Sequence, residues 1–548
     1  MGKAIRERLT AAISAGLFLF PFSIYLATLA PSLTWQHDGA DGGDLIAAAC
    51  TLGIPHPAGY PLYVLLARLF TFLPWGDIAY RVNLMSAFFA AATIPLVFLA
   101  SLTLLMGGAE EGSDRIARLA ASMTAALAFA FSPVFWSQAI IAEVYTLNAF
   151  FVALTIYLLA HHVRTGALPL YPLAFFYGLS LGNHLSMLLL LPAALFLVWR
   201  GECGRLLKPK TLAMAFACFL VGLSVYLYLP LRAAQHPPIN WGDPHTRSGF
   251  AWLVSAQLYR QFVFALPWKY VPGRVSAWLS LLAQQFGWWG LFLALIGLWF
   301  WGSRGRTFCG FLAIWGAANS IYAIGYNTAD SYIYLIPAFL VMALWLGKGV
   351  HCALVALQEL LGRMVKTASP RLTFFLSACA FLLLPFLSLA ANYKALDLSS
   401  DRTASEYGTT VLSALPANAI IIADTDPHTF ALWYFHYGEG LRPDVAVLNA
   451  TLWQYDWYRE GVGRLYPRLA VSSLSGELTS LIDGNIGKYP IYLTDPNPQI
   501  AARYRLFRRG SAYQVMPDSV DRKGSPGVEP SGGTLRLKPR LHNSIAVY

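Results

Sequence analysis

Apolar residues in this 548-residue chain are grouped in blocks of about twenty, and this grouping constrains the fold more than any other feature. A helix of that length crosses a hydrocarbon core of roughly 30 Å. The block 170–199 is interrupted at Gly182, Asn183 and His184 and is long enough for two short helices. About eleven spans are therefore predicted, in a transmembrane bundle of residues 1–392. The clear blocks are 10–30, 82–106, 116–132, 146–160, 170–199, 211–231, 276–302, 307–325, 332–347 and 372–391.

The net charge of +11 follows the topology of such a bundle and does not indicate a nucleic-acid surface. The basic start of the chain, 1–8, places the N-terminus in the cytoplasm by the positive-inside rule. Alternation then brings the connections 133–145 and 326–331, which contain no lysine or arginine, to the external side. Because no basic tract is interleaved with aromatic residues, nucleic acid is excluded as a partner. We predict a multi-pass protein of the inner (plasma) membrane. The basic segments on its cytoplasmic side are 200–210, 304–306 and 348–371.

Two external segments have the composition of folded regions. Residues 31–80 form the first external loop, with short helices expected near 45–52 and 60–73 along the membrane surface. Residues 393–548 alternate short apolar runs with helical patterns, and Asp or Asn closely follows each run. This pattern predicts a small external α/β domain with a partly parallel sheet. Its expected strands lie at 419–422, 445–448 and 491–493.

The first external loop begins with three carboxylates and three glycines within residues 37–44. Glycine permits tight turns, so Asp38, Asp41 and Asp44 could converge on one point. A carboxylate that is partly desolvated at a membrane surface can have a raised pKa and act as a general base. The same three carboxylates could hold a divalent cation. The alternative is a solvated loop in which Asp44 caps the following helix.

Two further titratable residues are candidates for the same site. His56 lies between Pro55 and Pro57, which hold it away from a helix, so it either faces a substrate or belongs to a structural turn. Glu143 lies in an otherwise apolar stretch at the outer end of a span, where a carboxylate is costly and by default functional. A structural salt bridge with Arg81 is the alternative for Glu143.

Arg232, Asn183 and His184 also lie at the outer ends of spans. The guanidinium of Arg232 suits a phosphate head group, because it stays charged and donates bidentate hydrogen bonds, although ordinary snorkelling is the alternative. Asn183 and His184 break an apolar block and either line a site or connect packed helices.

Two external connections complete the set of candidates. Trp241 and Asp243 lie in a polar, aromatic loop of the kind that stacks on sugar rings, and Asp330 lies in the short connection 326–331. Every candidate thus falls on the external face, whereas scattered structural polar residues would be divided between both faces. This agreement predicts one external site.

Taken together, the motifs resemble one family, the GT-C type membrane glycosyltransferases related to the transmembrane protein O-mannosyltransferase that modifies plexin-type receptors. The longest match is the first-loop segment 41–63, which begins Asp41-Gly-Gly-Asp44 and contains Ile-Pro-His56-Pro-Ala-Gly-Tyr60-Pro. Shorter matches lie at 80–84, 142–148, 178–184 and 241–243, and residues 424–426 and 442–445 resemble the C-terminal region of bacterial members.

The resemblance implies a GT-C fold, a sugar donor linked to a polyprenyl phosphate, and an essential acid in the first loop. By position, Asp41 is the catalytic base for an acceptor hydroxyl, and Asp44 stands where the family usually has Glu. The family favours mannose, protein Ser or Thr as acceptor, and relatives often work without a metal. The residues assigned to the donor phosphate are Arg232, Arg81, His56, Asn183 and His184. Those assigned to the acceptor or sugar are Glu143, Trp241, Asp243, Tyr60 and Asp330.

Two other functions are compatible with such a bundle. A transporter or flippase of lipid-linked sugars would place polar residues through the bilayer midplane, often with an inverted repeat. Here the polar residues gather at one face, and no internal repeat is found. A ligase that moves a whole glycan from the same lipid carrier would use the same external site and differ only in its acceptor.

Overall fold

The computed structural model describes residues 3–105, 112–166, 169–200, 208–301, 306–364, 370–471 and 476–518. Up to residue 396 the described chain is almost entirely helical. Its α-helices are α1 Lys3–Thr28, α2 Gly42–Thr51, α3 Pro61–Thr71, α4 Ile78–Leu105, α5 Gly112–Ala130, α6 Pro133–Ala139, α7 Tyr145–Thr165, α8 Leu170–Leu181, α9 Leu191–Trp199, α10 Pro209–Leu223, α11 Tyr228–Ala233, α12 Arg247–Val254, α13 Val271–Trp299, α14 Arg306–Gly325, α15 Ile336–Met364 and α16 Pro370–Leu396.

Every apolar block of the sequence is helical in the structure. Within the described residues, seven helices are long and apolar enough to cross a membrane, and α5 and α6, which meet at 63°, make an eighth if they count as one span. The block 170–199 is broken where the sequence predicts, since α8 ends at Leu181 and a 3-10 helix, Leu185–Leu190, follows. The predicted total of about eleven spans is not confirmed.

Neighbouring spans approach closely where glycine leaves room for a backbone. A Cβ on Gly297 of α13 would lie 1.8 Å from the carbonyl oxygen of Trp345, and one on Gly349 of α15 would lie 1.8 Å from that of Leu293. Close packing of this kind, through small residues, is typical of helices in a membrane. Buried polar groups add contacts between helices, as where the Tyr25 hydroxyl donates to the Ala130 carbonyl at 2.8 Å.

After α16 the chain forms a small α/β unit with a five-stranded sheet of order β2-β1-β3-β5-β4. Strand β1 pairs in parallel with β2 and with the central strand β3, and β5 runs antiparallel to β3 and β4. The three predicted strands are therefore present, in a partly parallel sheet as expected. The elements are β1 Ile420–Ala423, β2 Ala446–Asn449, β3 Ile491–Leu493, β4 Tyr504–Arg509, β5 Ala512–Pro517, α17 Thr403–Ala414, α18 Asp426–Trp433, α19 Asp456–Leu465, α20 Leu478–Asn485 and α21 Pro498–Ala501.

The α/β unit docks on the bundle where α1 and α16 end. The Leu398 backbone N–H donates to the Thr28 carbonyl at 3.1 Å, and the Trp35 indole N–H donates to the Pro427 carbonyl at 3.2 Å. The predicted first-loop helices are present as α2 and α3. Residues 42–49 of α2 are buried and α2 packs against α18, while the orientation of α2 and α3 along the membrane surface stays a prediction.

Candidate active site

Asp41 lies at the junction between the bundle and the α/β unit, at the end of the 3-10 helix Gln36–Asp41. Its side chain is 44% exposed, and its Oδ2 lies 3.6 Å from Nε2 of His56. Protein encloses the carboxylate on its other sides, and this burial raises the pKa of Asp41 to about 6. His56 opposes the shift, while Asp426, Asp44 and Asp330 add to it. Asp41 is therefore an accessible carboxylate that takes up and releases a proton near neutral pH.

His56 is fixed in place by Asp44. Its ring Nδ1 lies 2.8 Å from Asp44 Oδ2, and its backbone N–H donates to the same oxygen at 2.9 Å. Burial lowers the pKa of His56, but the charges of Asp41 and Asp44 outweigh burial and raise that pKa to about 9. His56 is thus an imidazolium at neutral pH, with both ring nitrogens acting as donors.

Asp44 is fully buried, and both of its oxygens accept hydrogen bonds from protein groups. Its Oδ1 accepts from the Trp241 indole N–H at 3.1 Å. The assignment of Asp44 as a catalytic group stays a prediction. In the structure, Asp44 is enclosed by His56 and Trp241, which both donate to it. It is a positioning residue for these two side chains.

A short β-bridge explains how Trp241 reaches the first loop. Pro55 and Pro57 keep the chain around His56 extended, and Ile54 forms a parallel bridge with Asn240. The Ile54 N–H donates to the Ile239 carbonyl at 2.8 Å, and the Trp241 N–H donates to the Ile54 carbonyl at 3.1 Å. This pairing sets Trp241 beside Asp44, as the common assignment of both to one site predicts.

Glu143 belongs to the same group of charges. It is 5% exposed, its Oε2 accepts from the Val144 N–H at 3.2 Å, and burial, followed by the charge of Asp41, raises its pKa well above the usual range. The alternative salt bridge with Arg81 is absent from these described residues, because Arg81 donates to the carbonyls of Thr71, Trp75 and Gly76 instead. Burial and the charge of Asp41 thus both favour the protonated form of Glu143.

The two arginines assigned to the donor phosphate, Arg232 and Arg81, donate to backbone carbonyls in the structure, and their phosphate role stays a prediction. Arg232 donates to the carbonyls of Leu52 at 2.7 Å and Thr51 at 3.1 Å, and to the side chain of Gln235. Arg232 thus satisfies the free carbonyls at the end of α2, and Arg81 does the same at the end of α3. All three nitrogens of each guanidinium donate to protein groups, so both arginines hold the frame of the first loop.

A cavity of about 280 Å³, here called the tyrosine cavity, opens beside His56. Tyr60 and His184 line it as predicted, and the Tyr60 ring lies 5.1 Å from the His56 ring. Asn183 does not belong to the lining of this cavity, and its side-chain amide donates to the Val144 carbonyl at 3.1 Å. The other lining residues relevant to function are Tyr259, Arg260, Tyr322, Tyr326 and Tyr334, with Leu188, Leu189 and Val263 on the apolar side.

Three of the predicted acids, Asp38, Asp243 and Asp330, do not contact the Asp41–His56 pair in the hydrogen bonds and ion pairs of the described residues. Asp38 accepts from the Tyr332 hydroxyl at 2.6 Å, and Asp243 accepts from Asn240 at 2.9 Å and pairs with His245. Asp330 lies near enough to Asp41 to raise its pKa. Asp38, Asp41 and Asp44 do not converge, and no other group of three His, Cys, Asp or Glu among the described residues could hold a metal ion. These side chains do not fit a divalent cation.

Sequence reasoning missed two residues of the site. Asp426, at the start of α18, lies near enough to Asp41, Asp44 and His56 to interact with their charges. Tyr259 comes from the 3-10 helix Gln257–Phe262, and its ring lies 6.3 Å from that of His56. A signal for Asp426 was present, because it follows the carboxyl end of a parallel strand, where ligands bind in α/β folds.

Fold and site together define a multi-span membrane protein with an acid–histidine pair beside a cavity. A family model of the protein O-mannosyl-transferase TMEM260 N-terminal domain matches residues 41–204, and one of the TMEM260-associated domain 2 matches residues 404–466. The protein O-mannosyl-transferase TMEM260 of Mus musculus is 30% identical over 487 residues, which are 83% of this chain and 65% of that protein. The tmem260 protein of Dictyostelium discoideum, also named a protein O-mannosyl-transferase, is 24% identical, covering 95% and 68%.

This chain is thus similar to membrane proteins named protein O-mannosyl-transferase, and it spans 65% of the length of the Mus musculus relative, less than two thirds, and 68% of the other. The first matched region contains Asp41, His56 and Glu143, and the second contains Asp426. The apo oligosaccharyltransferase of Archaeoglobus fulgidus is similar with a TM-score of 0.49 and 12% identity, over 82% of this chain and 68% of that one. A likeness at that level is too weak to define the fold.

Proposed function

We propose that this chain transfers a mannosyl residue from a polyprenyl-phosphate donor to a hydroxyl group of a protein, at the external face of the plasma membrane. The observation that carries the proposal is the position of Asp41, whose half-open carboxylate has a pKa of about 6 and lies 3.6 Å from His56. His56 directly precedes Pro57, which lines the tyrosine cavity. A carboxylate of this kind suits a general base. The mannosyl group and the protein hydroxyl acceptor are proposed from the relatives, which are named protein O-mannosyl-transferase.

The reaction is a single displacement. The acceptor oxygen attacks the anomeric carbon, its proton passes to Asp41, and the bond from that carbon to the phosphate oxygen breaks with its electron pair. The configuration at the anomeric carbon is therefore inverted. His56, as an imidazolium held by Asp44, favours the ionised form of Asp41 before the proton arrives. No soluble nucleotide is needed, because the leaving group is already in the membrane.

Arg260 is our candidate for the charge that stabilises the departing phosphate. It is exposed, it lines the tyrosine cavity, and its Nε donates to the Ser255 carbonyl at 3.2 Å. Within the described part of the chain, neither terminal nitrogen of its guanidinium has a carboxylate partner. It can therefore donate two hydrogen bonds to a phosphate. The apolar side chains of Leu188, Leu189 and Val263 suit the first part of the lipid.

Replacing Arg260 with alanine is expected to lower kcat/KM for the donor by about tenfold or more, because a charge-assisted contact to the leaving group is lost. The comparison is made with polyprenyl-phosphate sugar as the varied substrate. Arg247→Ala, which removes an exposed arginine that lies outside the cavity lining, is the matched control and should change kcat/KM by less than about twofold. Equal effects of the two variants would remove Arg260 from the phosphate site.

The pH dependence should follow the ionisation of Asp41. The deprotonated form is the active base, so kcat/KM is expected to rise with pH through about 6 and then level off. Below that pH the rate should fall about tenfold per pH unit, because the fraction of ionised Asp41 falls by that factor. The measurement is the pH profile of transfer between about pH 4.5 and 8. A flat profile over this range would contradict a base with a raised pKa.

The direct test of the function uses the purified protein with labelled polyprenyl-phosphate sugars. Label on Ser or Thr of a protein acceptor supports the proposal, and mannose should be preferred over glucose on the same lipid. Label on a lipid-linked glycan would indicate a glycan ligase. Movement of intact lipid-linked sugar across vesicles, without transfer, would indicate a flippase.

A further inference from the structure

A second cavity of about 280 Å³, here called the tryptophan cavity, lies between the loop 236–241 and the α/β unit. Trp241, Trp433 and Trp457 form aromatic walls, and Tyr437 adds a fourth ring. Asn240 and Arg464 are polar residues on the lining of this cavity. The transfer step proposed for Asp41 uses none of these groups directly. A ligand of the tryptophan cavity would therefore be separate from the groups that react at Asp41.

We infer that the tryptophan cavity binds a neutral hexopyranose. One face of a pyranose ring carries only C–H groups, whose positive hydrogens pack on the negative face of an aromatic ring. The rings of Trp241 and Trp457, with centroids 6.3 Å apart and inclined at 38°, pack against each other on one wall of the cavity. Trp457 is the more exposed of the two and offers such a face. The sugar hydroxyls need polar partners around the rim. The Oδ1 of Asn240 is buried and has no hydrogen-bond partner among the described residues, so it can accept one of them.

The charges around the cavity favour a neutral ligand. A cation would be attracted by the aromatic rings, but among the described residues no carboxylate lies on the cavity lining to pair with it. An anion would be drawn to Arg464, but that charge is already balanced by Asp243 at 3.7 Å and Glu460 at 3.8 Å. Neutral hydroxyl groups can still accept hydrogen bonds from Arg464, because they do not need its net charge.

The tryptophan cavity is connected to the candidate active site through one side chain. Trp241 lines the cavity with its ring and donates its indole N–H to Asp44, which in turn holds His56. A sugar that stacks on Trp457 therefore contacts a ring that packs against Trp241, whose indole N–H holds Asp44, the residue that positions His56. Resting on the proposed function, we assign this sugar to the acceptor side, as a mannose already attached to the acceptor protein.

Binding can be tested separately from transfer. Saturation-transfer difference NMR is recorded with methyl α-D-mannopyranoside and the full-length protein, in a detergent without a sugar head group that would compete. Wild type and Asp41→Asn should both show a saturable signal, because Asp41 does not line the cavity. If the protein binds the sugar but transfers none, the proposed function is wrong and the inferred sugar site is still supported.

Gly461 gives a variant that fills the cavity without removing a contact. It lies on the cavity wall, and a Cβ added there would meet no atom within 4 Å. Gly461→Phe should reduce the sugar signal by about tenfold, because the ring takes the space of the ligand. Gly461→Ala, the matched control, should retain the signal, and Trp457→Leu should lose it. Equal signals from Gly461→Phe and wild type, or a signal from a serine-containing peptide but none from the sugar, would overturn the inference.

Discussion

Asp41→Asn is expected to lower the rate of sugar transfer by about 10²–10⁴-fold while leaving expression and folding intact. Asparagine keeps the size of the side chain but cannot accept the proton of the acceptor hydroxyl at neutral pH. The Asp41 side chain is 44% exposed, and its Oδ2 lies 3.6 Å from Nε2 of His56. The substitution to asparagine should therefore disturb the packing of the folded protein very little. The measurement is single-turnover transfer from a labelled polyprenyl-phosphate sugar, with detergent-solubilised protein checked by size-exclusion chromatography.

Asp38→Asn is the matched control for this variant. Asp38 lies three residues before Asp41 in the same 3-10 helix, and its carboxylate accepts from Tyr332 at 2.6 Å, a bond that an asparagine oxygen can also accept. Its activity should stay within about threefold of wild type. Near-normal transfer by Asp41→Asn would remove Asp41 from the role of base. Equal losses in both variants would favour a shared function of the first-loop acids, such as a bound cation.

Most of the helices and strands could be predicted from local patterns in the sequence. The length of an apolar block determines where a membrane helix can form, so every predicted block is helical, and Asn183 and His184 mark a real break between α8 and the helix that follows. The strands at 420–423, 446–449 and 491–493 were also predictable from their apolar runs. The burial of α2 was not, because it depends on contacts with α18, almost four hundred residues further along the chain.

The candidate site was predictable where its residue types have few alternatives. Asp41 was identified by its acidic, glycine-rich loop, His56 by its flanking prolines, and Glu143 by the cost of an acid among apolar residues. The structure brings these three residues together. Arg232 and Arg81 were assigned to phosphate because the guanidinium group suits it, but backbone carbonyls at helix ends use the same donors. Such carbonyls are present in every sequence and give no signal in the side chains. Arg260 is distinguished from them only by the cavity that it lines.

Gly43 is the position where α2 meets the α/β unit most closely. A Cβ added to Gly43 would lie 2.3 Å from the carbonyl oxygen of Phe430 and 2.5 Å from its carbonyl carbon, so α18 would have to shift. The Phe430 ring is stacked 6.5 Å from the His56 ring, and Asp426 lies at the start of the same helix. Displacement of α18 therefore changes both the packing and the charge around the Asp41–His56 pair.

Gly43→Ala should consequently reduce transfer by about tenfold to a hundredfold, because displacements near 1 Å at a catalytic group have effects of that size. The overpacking should also lower the free energy of unfolding by about 1–3 kcal/mol. Transfer rates and thermal denaturation of the purified variant measure the two effects. Gly16→Ala is the matched control, since a Cβ added at Gly16 in α1 meets nothing within 4 Å. If Gly43→Ala behaved like Gly16→Ala in both measurements, the docking of α18 on α2 could not be what positions the site.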